Sequence, residues 1–215
     1  MGALSLRSFK WRWAVTARWR HLRGLSGEFA AVEQSPRSSE LSQRWERAWP
    51  GAEPSRFSLR AGNERWVRFH SLPDGKRYAD NADEAREMLR RHHEVLEALS
   101  GGAPPEQLLV LAPDHGRHDL GSGWSKAYLP DPWPWRTFID DSSESRVFCW
   151  AASGLTQRQL DALLTACAED QAFPLILDQS MCWIYCPYDG GADVVLATEA
   201  ERLWLEERHS DWLPD

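Results

Sequence analysis

The sequence predicts an α+β fold, a mainly antiparallel sheet with helices packed on one face. Several short strand-like segments follow one another through tight turns, which is typical of antiparallel pairing. Amphipathic helical patterns interrupt these strands, and each begins after a side chain that can cap a helix. No glycine-rich phosphate loop stands between a strand and a helix. A doubly wound nucleotide-binding sheet is therefore not predicted.

Four helices are predicted. A short one begins near Ser39 and stops at Pro50, because proline cannot continue a helix. The clearest one follows Asn81, since apolar residues recur at helical spacing along its length. Two more follow Thr156 and Thr198, each with Gln or Glu three residues later, as in a capping box. The last helix is expected to bury three apolar side chains that share one face: Ala200, Leu203 and Trp204.

The predicted strands are short runs of apolar and β-branched residues bounded by turn residues. They cover residues 57–60, 66–70, 107–111, 135–140, 146–151, 174–178, 182–186 and 193–197. The first two are predicted to form a hairpin, and the last two are joined through the turn Tyr188-Asp189-Gly190-Gly191. Side chains alternate along a strand, so Trp66, Arg68 and His70 share one face.

The N-terminal segment, residues 1–37, is predicted to be a flexible basic arm in front of a single domain over residues 38–215. The first 27 residues carry six basic side chains, and no acidic residue precedes Glu28. Tryptophans alternate with basic residues between Lys10 and Arg20, which fits a strand with one basic face. A helical stripe of Trp11, Val15, Trp19 and Leu22 fits as well, so the spacing leaves both alternatives open.

The rest of the chain is acidic. After residue 27, 19 basic side chains stand against 32 acidic ones, a net charge of −13 within a chain whose total is −7. Phosphate binding needs a positive field, so nucleic acid is not the expected partner. An acidic surface with many tryptophans (13 in the chain) suits a protein partner of basic charge.

The cysteines and the hydropathy indicate a cytoplasmic protein. None of the four cysteines has CxxC spacing, and all fall on predicted strands or helices, which is typical of reduced thiols in a core. No run approaches the roughly 20 apolar residues of a membrane-spanning helix. No disulfide, metal or other cofactor is expected.

Polar side chains cluster in two segments, 68–78 and 186–193, each of which leaves a strand and enters a turn. An imidazole, two cations, a phenol and two carboxylates together could bind an anion or transfer a proton. Turn chemistry accounts for the same residues without a ligand. The candidate ligand-binding residues are His70, Lys76, Arg77, Tyr78, Asp189 and Asp193. No nucleophile elbow is present, and no catalytic residue is assigned.

A long connection rich in glycine and proline, residues 113–134, leads to rigid aromatic side chains of the kind that anchor interfaces. The candidate partner-binding residues are Trp124, Trp133 and Trp135. The alternative is that these indoles fold inward over the core, since tryptophan is largely buried. Four residues of this connection are of metal-ligand type, Asp114, His115, His118 and Asp119. No second ligand pair accompanies them, so no metal site is predicted.

The segment 66–78 resembles one found in an uncharacterised bacterial domain family whose members carry the pattern RFHSLP-x-x-KRY. A second family pattern, HPYDGG-x-DV, resembles residues 186–194. Together the similarity extends over residues 64–213. Cys186 stands where the family pattern has histidine, which argues against a catalytic role at that position. The resemblance implies a domain of unknown function and brings no activity with it.

We therefore expect a non-enzymatic protein-binding module, and a bacterial toxin-neutralising (immunity) protein is its favoured form. This expectation rests on acidic charge, tryptophan content and the lack of a catalytic signature. The alternative is a small-ligand or enzymatic site where segments 68–78 and 186–193 converge, which requires His70 and Asp189 at the same end of the sheet. A third and weaker alternative is that the basic arm binds an anionic membrane or nucleic acid.

Overall fold

The computed structural model describes residues 35–60, 62–114, 123–140 and 145–214. Within these ranges there are six α-helices and seven strands, and the strands form one sheet. The helices are α1 Pro36–Ala48, α2 Arg56–Arg60, α3 Ala82–Ser100, α4 Trp124–Tyr128, α5 Gln157–Ala168 and α6 Glu199–Arg208. The strands are β1 Trp66–His70, β2 Leu109–Asp114, β3 Trp133–Asp140, β4 Ser145–Ser153, β5 Leu175–Leu177, β6 Trp183–Tyr188 and β7 Gly191–Leu196.

The seven strands form a single sheet in the order β1-β7-β6-β5-β2-β4-β3. Every neighbouring pair is antiparallel. The predicted α+β class with an antiparallel sheet is confirmed. β1, the first strand in the chain, lies at one edge and pairs with β7, the last strand. This pairing joins distant parts of the chain and determines where the candidate site forms.

Helices cover both faces of the sheet. The first face packs against α3, α4, α5 and α6 and carries the larger apolar core. On the second face, α1 and α2 contribute Leu41, Trp45, Trp49 and Leu59 to a smaller core. β2 and β7 are buried along their whole length, which requires cover on both sides. The sequence predicts helices on one face only. The structure has a second helical layer on the other face, formed by α1 and α2.

The helix starts are those that the capping sequences predict. Asn81 accepts hydrogen bonds from the backbone N–H groups of Asp83 and Glu84, both at 3.0 Å. Thr156 and Thr198 each form a complete capping box with the residue three positions later. Each cap satisfies backbone donors that a helix leaves unpaired in its first turn, and stabilises the helix by about 1 kcal/mol.

Two predicted elements differ from the structure. Residues 57–60 were predicted as a strand, but they belong to helix α2, which packs Leu59 against the second face. A run of four residues is too short for its periodicity to distinguish a helix from a strand. The predicted arm ends earlier, because α1 begins at Pro36 and is capped by Ser35. The rest of the arm, residues 1–34, lies outside the described residues.

The predicted burial of α6 is wrong. Leu205 is the residue that α6 buries, whereas Leu203 and Trp204 are 52% and 48% exposed. Ala200 is exposed as well. The helix rotates its Leu205 side toward β1 and β7, so the apolar stripe that the sequence displays faces outward. Within the described ranges, no helix is long and apolar enough to cross a membrane.

Candidate functional site

The two polar segments lie side by side because β1 pairs with β7. In this pairing Arg68 stands opposite Asp193, and His70 stands opposite Gly191. Beyond the strand, the N–H of Ser71 donates to the carbonyl of Gly190 at 3.2 Å. His70 and Asp189 are thus at the same end of the sheet, as the small-ligand alternative requires. What these side chains do there depends on their partners.

Asp193 is almost fully buried, with 1% of its surface exposed. Arg68 donates from Nε and Nη2 to the two carboxylate oxygens of Asp193 at 2.8 and 3.1 Å. Arg56 of α2 adds a longer contact to the same carboxylate at 3.7 Å. The hydrogen bonds to Asp193 raise the pKa of Arg68 further. Asp193 therefore ties α2 and β1 to β7 through two guanidinium groups.

Asp189, 5% exposed, forms the second buried carboxylate of the site. The hydroxyl of Tyr78 donates to its Oδ2 at 2.8 Å, and Arg77 forms an ion pair with the same oxygen. The hydrogen bond to Asp189 raises the pKa of Tyr78, because the bond is lost if the phenol ionises. Asp189 thereby fastens the loop after β1 to the turn between β6 and β7.

The other two candidates stand apart from these carboxylates. Lys76 binds Asp80 at 2.7 Å and Glu84 at 2.5 Å, so it fastens the loop to the start of α3. The ring of His70 lies against Gly75, and the backbone carbonyl of His70 accepts a hydrogen bond from Arg91 at 3.2 Å. The structure thus brings Arg77, Tyr78 and Asp189 together, while Asp193, Lys76 and His70 have separate partners.

Each buried carboxylate at this site has a cationic partner, and Lys76 has acidic ones. Both buried carboxylates accept from arginine, and the Lys76 ammonium lies between two further carboxylates. Cys186, opposite Asp193 in the pairing of β6 with β7, is buried, and burial raises the pKa of its thiol, which stays protonated. The ion pairs and hydrogen bonds of Asp193 and Asp189 hold one end of the sheet together. We call the two groups, Arg68–Asp193 and Arg77–Tyr78–Asp189, the double lock.

The candidate interface tryptophans fold mainly inward. Trp135 is fully buried and Trp124 is 5% exposed, so neither offers a surface to a partner. Trp133 is half-buried and carries the guanidinium of Arg37 at 4.2 Å from its ring centroid. The interpretation of these indoles as partner anchors is corrected for Trp124 and Trp135, because the sheet has two apolar faces and both rings help to fill them.

A buried histidine–tyrosine pair joins α3 to β6. His92 of α3 lies 2.5 Å through Nδ1 from the hydroxyl of Tyr185 in β6, and both side chains are buried. Its Nε2 has no hydrogen-bond partner among the described residues. Burial, with a contribution from the neighbouring His93, lowers the pKa of His92 to about 4. The position of His92 on the apolar stripe of α3 was the available signal.

This histidine predicts a specific loss of stability in acid. The unfolded chain binds the proton near pH 6.5 and the native protein near pH 4. The neutral form is therefore favoured in the folded state, and the stability that it provides is lost as pH falls from about 6.5 to 4. We expect His92 alone to contribute a loss of about 3 kcal/mol in the free energy of unfolding over this range. Urea unfolding of wild type at several pH values measures it.

The matched variants are His92→Gln and His93→Gln. Gln at position 92 does not titrate, so we expect a smaller loss between pH 6.5 and 4 than in wild type. His93 has a partly exposed ring that contacts Asp161 at 2.8 Å, and its charge is the smaller cause of the lowered pKa of His92. His93→Gln should therefore keep most of the wild-type difference. Identical acid profiles for wild type and His92→Gln would rule out the assignment.

A surface of a different kind lies on α6. Ala200, Leu203 and Trp204 are exposed and share one side of the helix, which we call the α6 stripe. Acidic side chains flank it on the same helix: Glu199, Glu201 and Glu207 are all exposed. Arg208 lies over the Trp204 ring at 5.8 Å. The stripe therefore combines exposed apolar area with an acidic surround, which is a combination typical of an interface.

Metal binding gains no support from the part of the chain that the structure describes. No group of three or more potential ligands is assembled there. Of the four metal-ligand-type residues in the long connection, Asp114 ends β2 and accepts from the Gly123 N–H at 3.3 Å. His115, His118 and Asp119 lie outside the described residues.

Comparison with known proteins identifies the family. A family model described as a domain of unknown function, DUF3885, matches residues 57–215. No curated protein and no solved structure matches the chain. The match extends over 159 of the 215 residues, from α2 onward, and includes every described strand together with the double lock. The expectation of a domain-of-unknown-function family is confirmed, and the chain belongs to the DUF3885 family.

Proposed function

We propose that this protein is a non-enzymatic protein-binding module whose α6 stripe docks a basic protein partner. The observation that carries the proposal is the exposure of Leu203 and Trp204, about half of each residue, on a helix that also carries three exposed glutamates. Tryptophan is the side chain most enriched at binding hot spots. The glutamates supply complementary charge for a basic surface and would accelerate its association.

The geometry of the polar segments favours binding over catalysis. A general acid or base must be able to exchange a proton with a substrate. Asp189 and Asp193 are instead buried and engaged by arginines. A small-ligand site at the double lock remains the second candidate function, because the two segments do converge, and the test of Asp193 described below separates it from a structural role.

The partner that we propose is a bacterial toxin of basic charge, which the protein would neutralise by covering its surface. A net charge of −7 for the whole chain supports an electrostatically steered complex of this kind. We infer a cytoplasmic location for the complex from the cysteines, which are all unpaired thiols, as is usual in a reducing compartment.

The test is capture of the partner by tagged wild-type protein, followed by affinity measurements with purified partner. We expect one basic protein in stoichiometric amount, and about 30-fold weaker binding by Leu203→Ser/Trp204→Ser, as is typical for loss of a hot spot. Both substituted positions are exposed, so the fold is expected to tolerate them. Where the captured protein arrests growth, co-expression of the wild type but not of the double variant should restore it.

The matched control is Ile139→Ser. Ile139 is 52% exposed, the same fraction as Leu203, but it lies on β3 at the far end of the sheet order. We expect it to bind as wild type does. Equal binding by wild type and Leu203→Ser/Trp204→Ser, or no stoichiometric partner at all, would refute the α6 stripe as the docking surface.

A further inference from the structure

The second face of the sheet carries arginines that alternate with aromatic rings. Arg56, Phe57 and Arg60 come from α2, Trp66 and Arg68 from β1, and Tyr188 from the end of β6. Arg56 lies 5.1 Å from the Phe57 centroid and 4.7 Å from that of Tyr188. Arg68 lies 5.2 Å from the Tyr188 centroid and 5.3 Å from that of Trp66, and Arg60 lies 5.3 Å from the Trp66 centroid.

These contacts form one continuous series from Phe57 to Arg60, which we call the arginine–aromatic ladder. Tyr188 and Trp66 each hold two guanidinium groups. A guanidinium that lies over a ring uses its flat face for that contact and keeps its edge N–H groups for hydrogen bonds. The rings therefore hold the cations in fixed positions, which lowers the entropy lost when a ligand binds them.

The ladder carries excess positive charge. Arg56 and Arg68 share the single carboxylate of Asp193, and among the described residues Arg60 forms no ion pair. Arg60 is exposed, and the side chains of Arg56 and Arg68 are 30% and 26% exposed. The patch thus has N–H donors without an acceptor among the described residues, on a chain that is acidic overall.

We propose that the arginine–aromatic ladder is a docking surface for an acidic segment of a partner protein, whose carboxylates the guanidinium edges bind. Arginine pairs with carboxylate through two parallel hydrogen bonds, so fixed arginines recognise Asp and Glu side chains with defined spacing. Single-stranded nucleic acid fits less well, because its bases need open ring faces for stacking and the arginines already occupy faces of Tyr188 and Trp66.

This surface is distinct from the one in the proposed function. The ladder lies on the α2 side of the sheet, whereas α6 packs on the opposite face. The ladder is proposed to bind acidic side chains, whereas the α6 stripe, which is flanked by carboxylates, is proposed to bind basic ones. Failure of either surface in its own test therefore leaves the other unaffected.

The experiment measures binding of a fluorescein-labelled oligoglutamate peptide to the full chain by fluorescence anisotropy. We expect binding that weakens as salt is added, and affinity lower on the order of tenfold in Arg56→Gln/Arg60→Gln. The control is Arg146→Gln/Arg158→Gln, which makes the same change in charge at two exposed arginines away from the ladder. It should bind the peptide like wild type.

A second pair of variants tests the role of the rings without changing the charge. Tyr188→Phe keeps the ring between Arg56 and Arg68 and should bind the peptide as wild type does. Tyr188→Leu removes the ring, and we expect several-fold weaker binding because the guanidinium groups are no longer held in place. If Tyr188→Leu does not fold, the arginine pair still decides the question.

Several results would overturn the proposal. The first is no binding of oligoglutamate to wild type, and the second is equal binding by the two arginine double variants. The third is tighter binding of an oligouridylate of matched charge, which would make the ladder a nucleic-acid surface. The fourth is a doubled molecular mass of wild type that Arg56→Gln/Arg60→Gln abolishes, which would make a second copy of this chain the occupant.

Discussion

Replacing Gly191 with alanine is expected to lower the free energy of unfolding by about 3–5 kcal/mol. Gly191 begins β7 opposite His70, and a Cβ on it would lie 1.9 Å from the carbonyl oxygen of Phe69. That oxygen belongs to the backbone of β1, so the clash can be relieved only by moving the strand. Its φ of +157° adds a conformation that side chains rarely adopt. Urea unfolding followed by tryptophan fluorescence measures the loss.

The neighbouring glycine provides the control. A Cβ on Gly190 would meet the Tyr188 ring at 3.3 Å and the Arg77 side chain at 3.6 Å. Both are side-chain atoms that can shift by a few tenths of an ångström, so Gly190→Ala should cost less than about 1 kcal/mol. Similar losses for the two variants would show that general turn strain, and not the approach of β7 to β1, requires glycine at position 191.

The sequence was most informative where local chemistry determines structure. Asn81, Thr156 and Thr198 each cap a helix as predicted, because a cap depends on residues only two or three positions away. The turn between β6 and β7 likewise follows from adjacent glycines. The pairing of these strands into an antiparallel sheet was predictable from the short connections.

Burial depends on distant parts of the chain and was predicted less well. The stripe of Ala200, Leu203 and Trp204 has helical spacing, but spacing alone does not say which side of a helix meets the sheet. The structure turns Leu205 inward and leaves the stripe outside. Trp135 shows the opposite case, since α1 covers it with Trp45, 5.8 Å away between ring centroids. No local pattern around residue 135 predicts the contact between Trp135 and Trp45.

The candidate site was predicted in composition but not in connectivity. The sequence indicated that segments 68–78 and 186–193 hold complementary charges. It did not indicate that Arg68 would select Asp193 while Tyr78 selects Asp189, because that choice follows from the register of β1 against β7. A shift of one residue would place Arg68 on the other face of the sheet. Register is thus what converts a set of polar residues into the double lock.

The position of the double lock gives segments 68–78 and 186–193 a structural role. β1 is an edge strand that contacts one neighbouring strand, so it depends on side-chain bonds for part of its attachment. Arg68 and Tyr78 supply two of these bonds to the far end of the chain. The polar residues of these segments therefore contribute to stability, and an experiment must separate that role from ligand binding.

Replacing Asp193 with asparagine makes this separation, and we expect a loss of about 3 kcal/mol in the free energy of unfolding. Asparagine keeps the size of the side chain but removes the charge that Arg68 and Arg56 share. Adding Arg68→Gln should recover part of the loss, because the uncompensated cation is then removed as well. Asp189→Asn should cost only about 1 kcal/mol, since its arginine partner, Arg77, is 62% exposed and can turn to water.

The order of these losses decides between the two interpretations of the site. If the double lock is structural, Asp193→Asn must lower the free energy of unfolding more than Asp189→Asn does. The effects of substitutions at positions 68 and 193 must also be non-additive. A carboxylate that is held in place for a ligand would behave differently. Neutralising it commonly leaves the protein as stable or makes it more stable, because binding sites trade stability for function. Unchanged or increased stability of Asp193→Asn would therefore refute the structural role of Asp193 and would support a small-ligand site between β1 and β7.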